Sequence, residues 1–169
     1  LINFLKKVGN NEKIFILGAG SNTLISDKLF DGIVIKLSTN FNNITMLGED
    51  VIIAGSAVLD RSLSEFAMKN NLSGFEFLSC IPGTIGGGIR MNAGCFEREF
   101  KDILLSIQAI DKSGNVLTIP SKNIKFGYRQ NDLSDDLIFL SASFKGIKSD
   151  KIKIKNEIER MKTLKEKNQ

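Results

Sequence analysis

Apolar residues fall in two rhythms along this chain, and the switches between them mark out its elements. Leu1, Ile2, Phe4, Leu5 and Val8 sit at helical spacing, and the chain opens on Leu1 directly in that pattern, as a piece of a longer protein would. Residues 13–17 (Lys-Ile-Phe-Ile-Leu) form an apolar run ending at Gly18 and predict a buried strand; residues 33–37 predict a second, entered through the turn pair Asp31-Gly32. Residues 42–47 and 50–54 read as a hairpin about Gly48-Glu49. Residues 59–70 place Leu63, Phe66 and Ala67 on one helical stripe, with Asp60 as the expected cap.

The rhythm then turns antiparallel. Leu105, Ile107 and Ala109 alternate within residues 103–111, a turn follows at residues 112–115, and residues 116–119 return. Residues 120–123 are a turn or one helical turn, and residues 137–146 are a strand expected to carry Ile138, Leu140, Ala142 and Phe144 on one face. Residues 150–167 close with a helix docked through Ile154, Ile158, Met161 and either Leu164 or Lys165. The expected fold is α+β in two lobes: a small α/β lobe over residues 1–40 and a larger lobe over residues 41–169, an antiparallel sheet flanked by helices.

Between helix and sheet lies a segment that periodicity does not explain. Residues 75–94 hold Gly83, Gly86, Gly87, Gly88 and Gly94, five of the chain's 15 glycines. Glycines there can reach φ > 0 and let amides approach a bulky anion; they equally suit a turn where two backbones touch. A second cluster, Gly18-Ala19-Gly20 followed by Ser21 and Asn22, ends the first strand, where backbone amides commonly meet phosphate. It is not a Rossmann fingerprint, because Thr23 replaces the third glycine and the next strand ends in Lys36-Leu37 rather than an acid. No Gly-Lys-Ser/Thr sequence is present, which disfavours a Walker-type site. Together the two loops could wall a ligand with a central pyrophosphate, with Ser21, Asn22, Ser56 and Thr84 adding donors and Gly55-Ser56 a third contact. That points to a dinucleotide.

Composition narrows the chemistry. The chain has no histidine, which removes Ser-His-Asp and Cys-His nucleophilic machinery and every histidine-containing metal site. Cys80 and Cys95 are too few for a thiolate zinc site and read as free thiols of a reducing compartment. The net charge of +4 concentrates in residues 145–169, with nine basic and four acidic side chains, while the rest is nearly balanced. That tail has no aromatic residue on which a base could stack, so it reads as a solvated helix face rather than a nucleic-acid surface. No apolar run reaches the roughly 18 residues of a membrane span. A cytoplasmic monomer without membrane or nucleic-acid partners is the expectation.

The two glycine segments resemble one family. Residues 17–24 (Leu-Gly-Ala-Gly-Ser-Asn-Thr-Leu) with residues 74–94, above all Ile81-Pro82-Gly83-Thr84-Ile85-Gly86-Gly87 and Asn92, are similar to UDP-N-acetylenolpyruvoylglucosamine reductases, and residues 126–129 (Phe-Gly-Tyr-Arg) resemble that family's Tyr-Arg segment. The resemblance implies an FAD-binding domain of the vanillyl-alcohol-oxidase type, with FAD held by Gly18, Ala19, Gly20, Ser21, Asn22, Gly55, Ser56, Ile81, Pro82, Gly83, Thr84, Gly86, Gly87 and Asn92. It implies NADPH as hydride source and a UDP-sugar enolpyruvyl ether as substrate, bound by Tyr128 and Arg129. Arg129 is implied as the catalytic residue, its planar fork suited to the substrate carboxylate into which charge delocalises. Without the resemblance, Arg129 reads as an exposed or paired arginine, and Tyr128 as a residue packed at a sheet edge.

Two departures stand out. The family pattern Tyr-Arg-x-Ser becomes Tyr128-Arg129-Gln130-Asn131 here. The serine that protonates substrate in a Gly-Ser-x-Phe-Lys-Asn-Pro-like segment, and the late glutamate that assists it, have no counterpart in these residues, so a catalytically incomplete fragment is expected. Another flavoenzyme of the same fold and a non-enzymatic basic module are the alternatives.

Overall fold

A computed structural model describes residues 1–8 and 11–167. Helix α1 (Ile2–Val8) buries Leu5, and strands β1 (Ile14–Ile16) and β2 (Ile33–Ile35) pair in parallel, Ile14 against Ile33. The buried strand expected at residues 13–17 is only half-buried: Phe15 and Val34 are 43% and 52% exposed. One face of this two-stranded sheet packs through Ile14, Ile16 and Ile35 onto Leu5, Ile110 and Ile138. On the other, Phe15 meets only the edge of Phe30, with ring centroids 6.3 Å apart.

Next come β3 (Ile44–Leu47) and β4 (Val51–Gly55), the expected hairpin, turned at Gly48 with φ of 71°. Helix α2 (Asp60–Lys69) and the short β5 (Leu72–Ser73) lead into a 3-10 turn over Glu76–Cys80 and then α3 (Ile85–Arg90). A tight hairpin follows, β6 (Gly94–Cys95) and β7 (Arg98–Glu99), before the long strands β8 (Leu104–Ile110) and β9 (Val116–Pro120). A second small hairpin, β10 (Phe126–Gly127) with β11 (Gln130–Asn131), precedes β12 (Ile138–Lys145), β13 (Ile147–Lys148) and α4 (Lys151–Lys167). Five strands form one antiparallel sheet in the order β3-β4-β12-β8-β9.

Two bulges correct the expected alternation in this sheet. In β12, Phe139 pairs with Ala109 but Ser141 with Gln108, so Leu140 is the extra residue; Ser143 pairs with Ser106 but Phe144 with Leu104, so Leu105 is extra in β8. A one-residue insertion flips the side chains beyond it. Ile138 therefore faces the cluster with Leu5 and Ile110 while Phe139, Ala142 and Phe144 enter the main core, and Leu105 turns outward, 38% exposed.

The main core is built on phenylalanine. Phe75, Phe144, Phe100 and Phe77 contact edge to face in sequence, at centroid distances of 6.5, 6.1 and 6.2 Å. Each such contact adds about 0.5–1.5 kcal/mol beyond area burial. Helix α4 docks through Ile154, Ile158 and Met161, as its stripe predicts, and Asp150 caps it by accepting the Ile152 N–H at 2.8 Å. Its half-buried Lys165 donates to the Cys80 carbonyl at 2.7 Å.

Candidate cofactor site

The two glycine-rich segments meet. A Cβ on Gly18 would lie 2.8 Å from Thr84 Oγ1, so the loop after β1 presses against the residue that caps α3. The same loop reaches across to the far end of α3, where the Asn22 amide lies 3.2 Å from Met91 Sδ. Ala19, Gly20, Ser21 and Asn22 are exposed on this edge, and Gly20 has φ of 78°.

A third segment supports α3 from below. The Gly86 N–H donates to the Ser56 carbonyl at 2.9 Å, the Ile85 N–H to Val58 at 2.9 Å, and the Asp60 N–H to the Gly83 carbonyl at 3.1 Å. These bonds use amides that a helix start leaves unsatisfied. The Gly87 N–H has no acceptor among the described residues, and Gly87 is exposed, with only Thr84 Oγ1 near a built Cβ, at 3.7 Å. Gly55 is buried because a Cβ there would collide with the Phe41 carbonyl. Exposed Pro82 and half-buried Ile81 complete the approach to Gly83.

None of Gly83, Gly86, Gly87, Gly88 and Gly94 has positive φ, which corrects the expected reason for their presence. Close approach explains most of them. A Cβ on Gly83 would sit 2.6 Å from Asp60 Oδ2, on Gly86 3.1 Å from Ser56 Cβ, on Gly88 inside the Phe100 ring, and on Gly94 against the Arg98 carbonyl. A touching backbone accounts for Gly94 and in part for Gly86, whereas at Gly83 and Gly88 the close neighbour is a side chain, and Gly87 alone faces open space on the exposed side.

Asp60 is not the cap that its place before the stripe predicts. Leu59 occupies that position, and Asp60 lies one residue inside α2, fully buried, with neither carboxylate oxygen hydrogen-bonded. Burial pushes its carboxyl up from 3.8 to about 8, so at neutral pH it is mainly the neutral acid. Ser64, one turn on, and Ser56 are likewise buried without partners for their hydroxyls among the described residues.

Tyr128 and Arg129 are the two turn residues of the β10–β11 hairpin, since Gly127 pairs with Gln130. Both are exposed, Tyr128 by 84%, so it does not pack at a sheet edge, and the Arg129 guanidinium lies 6.0 Å from the tyrosine ring centroid. Arg129 has φ of 59°, a left-handed conformation that is uncommon outside glycine, asparagine and aspartate and recurs at functional turns. Its charge reaches Cys95 and Glu99, helping to lower the Glu99 carboxyl below its usual range, although the Lys101 hydrogen bond does most of that.

Two asparagines tie this turn to α3. Asn92, buried and with φ of 42°, donates to the Gly127 carbonyl and to Glu99 Oε2, each at 3.1 Å, and accepts from the Lys101 N–H. Asn131 donates to the carbonyls of Ile89 and Arg90 at 3.0 and 2.9 Å and accepts from the Leu133 N–H. A serine at 131 has a single donor and could not make both bonds to the end of α3. Arg90 completes the connection by stacking on Phe139 at 4.3 Å and donating to the carbonyls of Leu133, Ser134 and Leu137. Sequence reasoning missed Arg90; its only signal was a lone cation in the last turn of a glycine-rich helix.

Residues 2–120 match the family described as FAD binding domain. The chain belongs to that family. Over all 169 residues this FAD binding domain is 66% identical to the UDP-N-acetylenolpyruvoylglucosamine reductase of Pelagibacter ubique, of which it covers 56%. It is 49% identical over 152 residues to the enzyme of the same name from Rickettsia felis, covering 89% of this chain and 50% of that one. The crystal structure of the Thermus caldophilus UDP-N-acetylenolpyruvylglucosamine reductase superposes with a TM-score of 0.85 at 26% identity, covering 98% of this chain and 60% of that one. An alkyldihydroxyacetonephosphate synthase shares the fold alone, with a TM-score of 0.61 at 14% identity over 87% of this chain and 29% of its own. The chain thus spans about half the length of the curated relatives it matches.

The expected α+β flavin-binding fold of the vanillyl-alcohol-oxidase type is the one observed. The residues fit FAD: an exposed glycine loop faces an exposed glycine whose N–H lacks an acceptor, and both lie where backbone can approach an anion closely. A cavity of about 510 Å³ lies elsewhere, lined by Phe77, Phe96 and residues of α4.

Proposed function

We propose that this chain is the flavin-binding part of an NADPH-dependent reductase that converts UDP-N-acetylenolpyruvoylglucosamine to UDP-N-acetylmuramate for peptidoglycan. The observation that carries the reading is the joining of the Arg129 turn to the glycine-flanked helix α3 through Asn92 and Asn131. The turn that carries Arg129 is thereby anchored to the helix beside the glycine loops.

FAD bound there would supply hydride chemistry for reduction of the enolpyruvyl group. The chain's own residues do the rest of the work on this side of the site. Amides along Gly18–Asn22 and at Gly87 hold the pyrophosphate, with the Ser21 hydroxyl and Asn22 amide beside them. Pro82, Gly83 and Thr84 set the depth at which a cofactor can lie. Arg129 holds the substrate carboxylate and stabilises negative charge as it spreads from C2, and a donor in that role lowers the barrier by about 3–4 kcal/mol. Tyr128 orients the substrate at the rim.

In the full-length protein, Arg129→Lys keeps the charge and removes the planar fork. It is expected to lower kcat by about a hundredfold or more with bound flavin unchanged. A variant with normal kcat removes Arg129 from the reaction, and loss of flavin assigns it to the cofactor instead.

A further inference from the structure

Two thiols outside the machinery above lie side by side. Cys95, at the end of β6, donates through Sγ to the Phe77 carbonyl at 3.2 Å. Phe77 belongs to the 3-10 turn Glu76–Cys80, and the Cys80 thiol at the end of that turn is a hydrogen-bonding neighbour of the Cys95 thiol. Both cysteines are free, Cys80 buried and Cys95 partly exposed. The residues that follow Cys95 are unusual: Phe96 and Glu97 form a two-residue hairpin turn with φ of 53° and 59°. Such turns normally take Asn-Gly or Asp-Gly, so a phenylalanine and a glutamate there hold strain that local packing must offset.

We propose that Cys80 and Cys95 are a redox-sensitive pair that closes into an intramolecular disulfide when peroxide is present, pinning the strained Phe96–Glu97 hairpin to the turn that enters the cofactor segment. Burial first, and the Cys80 thiol second, raise the Cys95 thiol to about 11, while Lys165 and Arg129 oppose them, so the resting pair at neutral pH is the dithiol. Oxidation begins at the more accessible sulfur, through the small thiolate fraction that its raised pKa leaves at neutral pH, so this first step is slow. The Cys95 thiolate attacks a peroxide oxygen, the O–O bond breaks, and Cys95 becomes a sulfenic acid as hydroxide leaves and takes up the thiol proton. The Cys80 sulfur then attacks the sulfenic sulfur; the S–S bond forms, the S–OH bond breaks, and hydroxide leaves with the Cys80 proton as water. Two thiols are oxidised and one peroxide is reduced to two waters. The new bond closes everything from Ile81 to Gly94, including α3, into one covalent loop. The inference uses no step of the proposed reduction and stands whether or not that reading holds.

The test treats the full-length protein with hydrogen peroxide, then maps peptides without reduction. The expected product is a cross-linked peptide containing Cys80 and Cys95, two hydrogens lighter than the reduced pair. Its formation should raise the thermal midpoint by several degrees and slow hydrogen exchange at Phe96 and Glu97, with dithiothreitol reversing both. Cys95→Ser, which keeps a donor to the Phe77 carbonyl, should abolish product and shift together, as should Cys80→Ser. Over-oxidation of Cys95 to sulfinic acid with Cys80 still free, a dimer joined through Cys95, or thiols left untouched by peroxide would each overturn the proposal.

Discussion

The two glycine-rich segments look alike as sequence and differ in physics. The first, Gly18–Asn22, lies exposed after a short strand, and Gly20 uses the freedom that glycine gives to φ. The second, around α3, uses none of that freedom. Its glycines are small because a carboxyl, a serine, an aromatic ring or a carbonyl already fills the space where a Cβ would go. One segment shapes its own backbone, and the other lets neighbouring groups come close. Between them they leave one exposed, uncrowded amide, at Gly87, facing an open loop.

The largest effect that would break this comparison comes from Asp60, whose carboxyl fills the place of a side chain at Gly83. Folded Asp60 holds its proton up to about pH 8, whereas its ordinary value is 3.8. Between those values the native state binds more protons than the unfolded chain, so stability is full below about pH 4, falls as pH rises and levels off above about pH 8. At about 1.36 kcal/mol per pH unit, the loss has an upper bound of about 6 kcal/mol. Urea unfolding across that window should show the decline in the native protein. Asp60→Asn should flatten it and be more stable than the native protein at pH 8.5. A native profile that is already flat would mean that the carboxyl has found water or a partner.

Next in size is Gly88→Ala. The added methyl enters the Phe100 ring, which is fully buried between Phe77 and Phe144 and has nowhere to move. Overpacking of this kind costs about 1–3 kcal/mol, and the better helix propensity of alanine returns at most about 1. A lower denaturant midpoint with an unchanged slope is expected. A midpoint at or above the native value would show that the core around α3 is looser than its geometry.

What the sequence could and could not reveal follows the same division. Periodicity located the long strands and helices, because burial of one face leaves a repeat in the residues themselves. It failed at Leu105 and Leu140, since a bulge is a property of two strands in register and neither strand alone records it. The glycine cluster was legible as a feature that periodicity does not explain, but the reasons for its glycines were not: Gly83 and Gly88 answer to Asp60 and Phe100, far from them along the chain, and Gly94 to Arg98 across a tight hairpin. Asp60 carried a misleading signal, because an acid before a helical stripe is the usual mark of a cap. Asn131 read as a departure from a family pattern, and only the fold gives it a task, bonding the carbonyls of Ile89 and Arg90.

The smallest effects on the fold sharpen the comparison most. Gly20→Ala forces a methyl into a left-handed residue with nothing closer than Leu17 at 4.0 Å, so strain alone should cost about 1 kcal/mol. Gly87→Ala has regular helical backbone and room for its Cβ, so the fold should hold or gain about 0.5–1 kcal/mol. If Gly87 presents its amide to a pyrophosphate, that same methyl stands between amide and anion. The full-length Gly87→Ala protein should therefore purify folded, with a thermal midpoint no lower than native, and retain tenfold less FAD by absorbance after dialysis. Native flavin content in a folded Gly87→Ala protein would move the anion contact away from α3 and leave the exposed Gly18–Asn22 loop to hold it alone.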